Sequence, residues 1–387
     1  MAKDLSAVLG AISKELGGAI DITALGDLVT PYHDRLPIGI FDLDIELKGG
    51  FPRGTACELF GPDGVGKNLM ANMLLANTQR RFGDNVNILY MSFGYAADTP
   101  FMRKCGLQIA LQDDALERMG IDPATATAEQ RGVTLGNLLT FSMTDKELAA
   151  VQPAEAMMTA AIRALESCDF HIIVIDEMAS GETGDDIKKG LHETAKIATW
   201  ASLVTQFCRK MYTALRKKDE VGLPNSSLIL VLQPVRANMD AYTAKFRPYN
   251  IPSGHALKHA KAIDIHLSMA GYITEGSDRE KVGKKTKWKI DKAKFGLSEG
   301  AEGEFEFRFY THDGGGIDQV ALVADSAAVW GTILRRGSSY YVLDYEDPIR
   351  GRDEMLQRLR DNEALLEELK EATMRAAMTD TLYVRGG

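Results

Sequence analysis

Apolar and β-branched residues along this chain come in short unbroken runs, and the stretches between them carry helical spacing. "TACELF" (55–60), "VNILYMSF" (86–93), "FHIIVIDEM" (170–178) and "SSLILVLQ" (226–233) are the clearest runs. A strand covered on both faces is apolar at every position instead of every second one, so these runs predict strands of a mostly parallel sheet. "NLMANMLLANTQRRF" (68–82) and "PAEAMMTAAIRALESC" (153–168) place apolar residues on one helical face, and arginines close the first. Strand and helix alternating in this way is the pattern of an α/β fold with right-handed crossovers. Toward the C-terminus the texture changes: "EFEFRFYTHDGGGID" alternates and then turns glycine-rich, and "RDEMLQRLRDNEALLEELKEATMRAAM" reads as a charged helix. These shifts place a boundary near residue 318, with a C-terminal domain and helical tail (319–387) beyond it. Residues 110–134, acidic and Thr-Ala-rich, read as a surface insertion in the core.

Composition narrows the class. With 387 residues, 45% hydrophobic and 26% charged, the chain buries a large core. Its net charge of −9 excludes a protein that coats nucleic acid over its whole surface and leaves only a local basic patch for such contact. Cys57, Cys105, Cys168 and Cys208 lie far apart without a CxxC pair, which suits buried thiols in a reducing compartment. No segment reaches the roughly 20 apolar residues of a membrane span, and the N-terminal stretch has no apolar run of a signal peptide. The expected location is cytoplasmic.

The first candidate chemistry is "LFGPDGVGKNLM" (59–70), a strand end, a glycine-rich turn and a helix start. Gly61 and the pair Gly66-Lys67 stand at the spacing of a phosphate-binding loop. The backbone of Pro62, Asp63, Gly64, Val65 and Gly66 would wrap a phosphate at a helix N-terminus, and Lys67 would bring a charge to the outer phosphates of ATP. Its partner is Asp176, which closes an apolar strand and is suited to holding Mg2+. The plainer alternative for Asp176 is a cap on the following helix. Asn68 stands where such loops carry a Ser or Thr hydroxyl, so it would offer the cation only an amide oxygen.

A second candidate is "RANMDAYTAKFRPYN" (236–250), directly after an apolar strand. Arg236, Lys245 and Arg247 alternate with Tyr242, Phe246 and Tyr249, charge for phosphates and flat rings for bases, as single-strand binding requires. An ordinary solvated loop with aromatics turned into the core is the other reading.

The chain resembles the RecA family of DNA strand-exchange proteins and their phage relatives. The run "LPIGIFDLDIELKGGFPRGTACELFGPDGVGK" (36–67) is similar to the approach to that family's core. "DTPFMRKCGL" (98–107) resembles the segment that packs a ring on adenine, which implies base contacts for Asp98 and Phe101. "SLILVLQPVR" (227–236) matches the strand whose terminal glutamine, here Gln233, senses the nucleotide, and "IPSGHALKHAKAIDIHLS" (251–268) matches the return from the second DNA loop. "KIDKAKFG" (289–296) matches the lysine pair, here Lys292 and Lys294, that reaches the neighbouring subunit's nucleotide. The first DNA loop would fall on "SGETGDDIKKG" (180–190), with Lys188 and Lys189 as its basic residues, a weaker candidate. The resemblance implies a RecA-type P-loop ATPase core (36–318) preceded by an N-terminal oligomerisation segment (1–35). It implies self-association into a helical filament on single-stranded DNA and pairing with homologous duplex DNA. It implies mediator and single-strand-binding proteins as further partners, in a bacterium or a phage-infected cell.

Two positions depart from that pattern. Asn68 is one. Gly94 is the other, because the family carries there a glutamate that positions the attacking water, and no acid lies between Asp84 and Asp98. Glu177, next to Asp176, is the nearby acid left to serve as the base, unless it caps or pairs with a neighbouring helix. Where Glu177 does not serve and turnover is near background, restoring the family pattern with Gly94→Glu and Asn68→Thr is expected to raise it. Helicase activity on a RecA-type core, or a hydrolysis-deficient nucleotide-binding accessory paralogue, are the alternative functions.

Overall fold

The computed structural model describes residues 14–15, 30–94, 97–141, 153–187, 197–238, 249–250, 254–310, 315–343 and 347–383. Most of the N-terminal segment, and Lys188, Lys189, Tyr242, Lys245, Phe246 and Arg247, lie outside the described residues.

Among the described residues the core is built on one sheet of eight strands: β1 (Ala56–Gly61), β2 (Asn87–Ser92), β3 (Asn137–Thr140), β4 (Ile172–Asp176), β5 (Leu228–Pro234), β6 (Ile263–Glu275), β7 (Glu280–Ala293) and β8 (Glu302–Arg308). Their order across the sheet is β8-β7-β6-β1-β5-β4-β2-β3. Pairing is parallel from β6 through to β3 and antiparallel from β6 to β8. The four apolar runs are thus the four central parallel strands, and every residue of β1 and β4 is buried. Both faces are covered, which is why these strands lack alternation.

Along each strand successive side chains go to opposite faces. Leu59 joins Met70 and Leu74 of α2 (Lys67–Phe82), which follows the short helix α1 (Phe41–Glu46). Ile175 and Val231 turn the other way, onto Met158 of α4 (Pro153–Ser167) and Phe207 of α5 (Ile197–Leu215); α3 (Thr99–Lys104) precedes these two. Helix α2 is buried nearly all round. Its polar Gln79 is satisfied by the carbonyls of Gln108 and Leu135 and by the Gln108 amide, all within 2.9 Å. Those bonds anchor the 110–134 insertion, which folds over a small cluster of Leu111, Ala115 and Leu116.

Beyond α6 (Gly254–Ala260) and the antiparallel strands, α7 (Gln319–Val329) opens a separate layer. Strands β9 (Ile333–Arg336), β10 (Ser339–Val342) and β11 (Ile349–Arg350) form a small antiparallel sheet, and α8 (Arg352–Asp361) and α9 (Glu363–Tyr383) follow. Their core of Val323, Ile333, Leu359 and Leu369 is distinct from the two cores of the large sheet. Asp318 caps α7 by accepting the Ala321 amide at 3.0 Å. Among the described residues no helix is long and apolar enough to cross a membrane. Cys57, Cys105 and Cys208 are buried free thiols, while Cys168 is only half-buried.

Candidate nucleotide-binding site

Strand β1 ends at Gly61, and the turn that follows delivers Gly66 in a left-handed conformation (φ 103) as the residue before α2. That φ is costly for any side chain and free for glycine. The first amides of α2 have no acceptor within the helix, so they and the dipole face whatever lies above the loop. Lys67 is only 8% exposed. Its Nζ donates to the carbonyls of Gly61 (2.8 Å) and Pro62 (2.9 Å) and lies 3.6 Å from Asp63. Burial pulls its pKa down, against the pull of Asp63, Asp176 and Glu177 in the opposite direction. A buried ammonium held by loop carbonyls is placed to exchange them for phosphate oxygens.

Asp176 closes β4 at the same sheet edge. Its Oδ2 accepts the Tyr90 hydroxyl at 2.7 Å and the Asn68 amide nitrogen at 3.2 Å. Burial pushes the Asp176 pKa up, while Tyr90, Asn68 and Lys67 oppose this. Because Asn68 points its nitrogen at the carboxylate, it keeps its carbonyl oxygen for a cation. One carboxylate and one amide oxygen make a sparse protein shell, which suits Mg2+, an ion that keeps several waters and phosphate oxygens.

Glu177 lies one residue past the strand with φ 52 and ψ 41, a left-handed backbone that costs a non-glycine residue about 1–3 kcal/mol. Its amide donates to the Leu232 carbonyl at 3.0 Å, which holds that turn in place. The side chain reaches across to the end of β2: a Cβ built on Gly94 would lie 2.0 Å from Glu177 Oε2. Among the described residues the Glu177 carboxylate makes no ion pair, and burial with Asp176 and Asp63 nearby pushes its pKa up.

Loop, Asp176 and Glu177 open into a cleft of about 430 Å³, walled by Phe101, Phe307 and Phe309 and by Lys284 and Thr286 of β7. Asp98 caps α3 by accepting the Phe101 amide at 3.1 Å, which sets Phe101 edge-on to Tyr310. Lys284 Nζ donates to the Gly64 carbonyl and Thr286 Oγ1 to the Val65 carbonyl, each at 2.9 Å. Lys284, Thr286, Phe307 and Phe309 escape a motif search. The signal for them is parity: in "KKTKWKID" Lys284 and Thr286 share the face of the buried Trp288 and Ile290. A larger cleft of about 880 Å³ beside α7 is lined by Arg308, Arg352 and Arg360, already paired with Glu275, Asp325 and Asp318, and offers no such anion cradle.

Gln233 does not line the cleft. It is fully buried at the end of β5, beside Phe60 in register, with neither amide atom partnered among the described residues. Lys292 Nζ donates to the carbonyls of Lys258 and Lys261, and Lys294 Nζ to that of His259 at 3.4 Å, so both gather beside α6 and away from the cleft of their own chain. Arg236 is exposed, and Arg236–Ala237 pairs antiparallel with Tyr249–Asn250.

The sheet, the loop and the acidic strand end define a P-loop nucleotide-binding α/β protein. A family profile for the RecA N-terminal domain matches residues 3–119. Protein RecA of Thermus thermophilus is 28% identical over 372 residues, 95% of this chain and 92% of that one. Protein RecA of Ruminococcus albus is 26% identical over 386 residues, 99% of this chain and 82% of its own. The DNA repair protein recA homolog 1, chloroplastic, of Arabidopsis thaliana is 26% identical over 380 residues, 98% of this chain and 74% of its own. Over nearly its whole length the chain is similar to these RecA proteins, at modest identity.

Proposed function

We propose that this protein binds ATP with Mg2+ at the Lys67 loop, polymerises head to tail on single-stranded DNA, and pairs that strand with homologous duplex. The observation that carries the reading is the Gly66-Lys67 loop at one sheet edge with Asp176, in a chain similar over nearly its whole length to proteins named RecA. Lys67 and the α2 amides bind the phosphates, Asp176 and Asn68 hold the cation, and Asp98 and Phe101 flank the base. Nucleotide bound there supplies a phosphoanhydride bond and the binding energy that favours the extended filament. Glu177 Oε2 orients a water and takes its proton, and its raised pKa suits a base.

Lys292 and Lys294, far from their own cleft, serve the next subunit's phosphates, which puts each nucleotide between two subunits. Arg236, Lys245 and Arg247, with Tyr242, Phe246 and Tyr249, carry the DNA strand; Lys188 and Lys189 flank it, and Gln233 links nucleotide to DNA. The N-terminal segment contributes to polymerisation, and mediator and single-strand-binding proteins assist loading. Negative-stain microscopy with single-stranded DNA and a non-hydrolysable ATP analogue tests this: helical filaments are expected, and closed rings or monomers would overturn it.

A further inference from the structure

Leu59 faces α2, so its neighbour Phe60 faces the opposite side of the sheet. On that side the parallel register sets three side chains at one level: Gln233 of β5 beside Phe60 of β1, and Phe60 beside His266 of β6. The rings of Phe60 and His266 stack with centroids 4.9 Å apart and planes 15° apart, and the Tyr249 ring meets His266 at 4.9 Å. One level below, Glu58 and Asp264 are register partners and both pair with the buried Lys261.

This patch is unfinished. Both amide atoms of Gln233, His266 Nε2, Glu58 Oε1 and Asp264 Oδ1 are buried without a hydrogen-bond partner among the described residues. Each such orphan keeps the desolvation cost of a buried polar group with no bond to offset it, whereas an apolar group of the same shape carries no such cost. His266 is 9% exposed, and burial disfavours its charged form, so it sits there as a neutral ring with one bond unmade. The stack has two ends of different character. Phe60 precedes Gly61, the first residue of the phosphate loop; Tyr249 follows Arg247 in the basic, aromatic segment.

We propose that His266 is a positioning residue that couples nucleotide binding to DNA binding: its ring links Phe60 to Tyr249, and its Nε2 gains a hydrogen-bond partner only when nucleotide and single-stranded DNA are both bound. The inference rests on the function proposed above and adds the route by which the two sites communicate. Binding DNA more tightly in the presence of ATP then includes the satisfaction of a buried orphan group. By linkage the same factor acts in both directions.

His266→Phe is the discriminating change, because it keeps a stacked ring and removes the orphan nitrogen. A purely structural ring predicts a variant at least as stable, with unaltered binding. The coupling role predicts thermal stability equal or higher, ATP affinity alone and DNA affinity alone within about 3-fold of the parent, and an ATP-dependent enhancement of DNA affinity reduced at least about 5-fold, the lower end of ordinary coupling factors. His266→Met, a flexible apolar filler, provides the same readout should the phenylalanine variant not fold. Fluorescence anisotropy of a labelled oligonucleotide, with and without a non-hydrolysable ATP analogue, measures the enhancement. Unchanged enhancement in a folded variant overturns the role of His266 alone. Failure of the unsubstituted protein to bind either ligand overturns the functional reading instead.

Discussion

Gly94 and Glu177 share one space. A Cβ at residue 94 would sit 2.0 Å from Glu177 Oε2 and 3.0 Å from its Cδ, so the carboxylate sent out by β4 fills the room a side chain at the end of β2 would need. The obstructing atoms are the tip of a flexible side chain, so a substitution at 94 displaces the carboxylate and leaves the backbone alone. Glu177→Gln is expected to lower DNA-stimulated phosphate release by at least about 100-fold, the lower range for a general base, with ATP binding kept. Gly94→Ala is expected to lower turnover in the same direction at unchanged thermal stability. Full activity in both would remove Glu177 from the reaction.

The same geometry alters the outcome expected for Gly94→Glu with Asn68→Thr. Two glutamates do not fit there together, so that pair gains turnover only when Glu177→Ala clears the space; the triple variant should outpace the double in a phosphate-release assay.

Lys67→Ala removes a buried ammonium whose protein acceptors, among the described residues, are loop carbonyls and Asp63. Tight ATP binding should be lost while circular dichroism stays that of the parent, because α2 is held by its packing on β1 and by Gln79. Unchanged nucleotide affinity by calorimetry would contradict the phosphate-loop assignment.

Replacing Arg236, Lys245 and Arg247 with alanine should weaken single-strand binding and flatten its salt dependence by about 0.7 for each phosphate that is no longer neutralised. ATP affinity of the free protein should not change. An unaltered slope would put the DNA elsewhere.

Lys292→Ala with Lys294→Ala should leave nucleotide affinity of the monomer intact and shorten filaments seen by microscopy. Lys292 also ties the end of α6 through two carbonyls, so a loss of about 0.5–1.5 kcal/mol of stability is expected beside the assembly defect.

Asp42 reports on pH. Burial raises its pKa to about 6, although it accepts the Trp288 indole N–H at 3.1 Å. The neutral acid is the form the fold favours, so this contribution is complete below the unfolded value near 4 and is lost as pH rises through 6. Asp42→Asn keeps an acceptor for Trp288 and should flatten the fall in melting temperature between pH 4 and 7, a span worth roughly 3 kcal/mol at this site. A parent protein whose stability does not fall over that range would refute the shift.

Whatever is local was readable from the chain alone. Strand β1, the glycine turn and α2 are contiguous, and their chemistry depends on spacing along the backbone and on the φ that only glycine adopts freely, so Gly61, Gly66 and Lys67 were legible at once. Asp176 was legible for a related reason, as the first polar residue after an unbroken apolar strand. Everything that depends on which strands lie side by side was settled by the packing of the folded chain. Lys284 reaches Gly64 across 220 residues, Glu177 fills the space at Gly94 from another strand, and Phe60, His266 and Tyr249 meet only because β1 and β6 pair in one register. A slip of one residue in that pairing would send His266 to the opposite face, and no local pattern in the chain encodes which strands become neighbours.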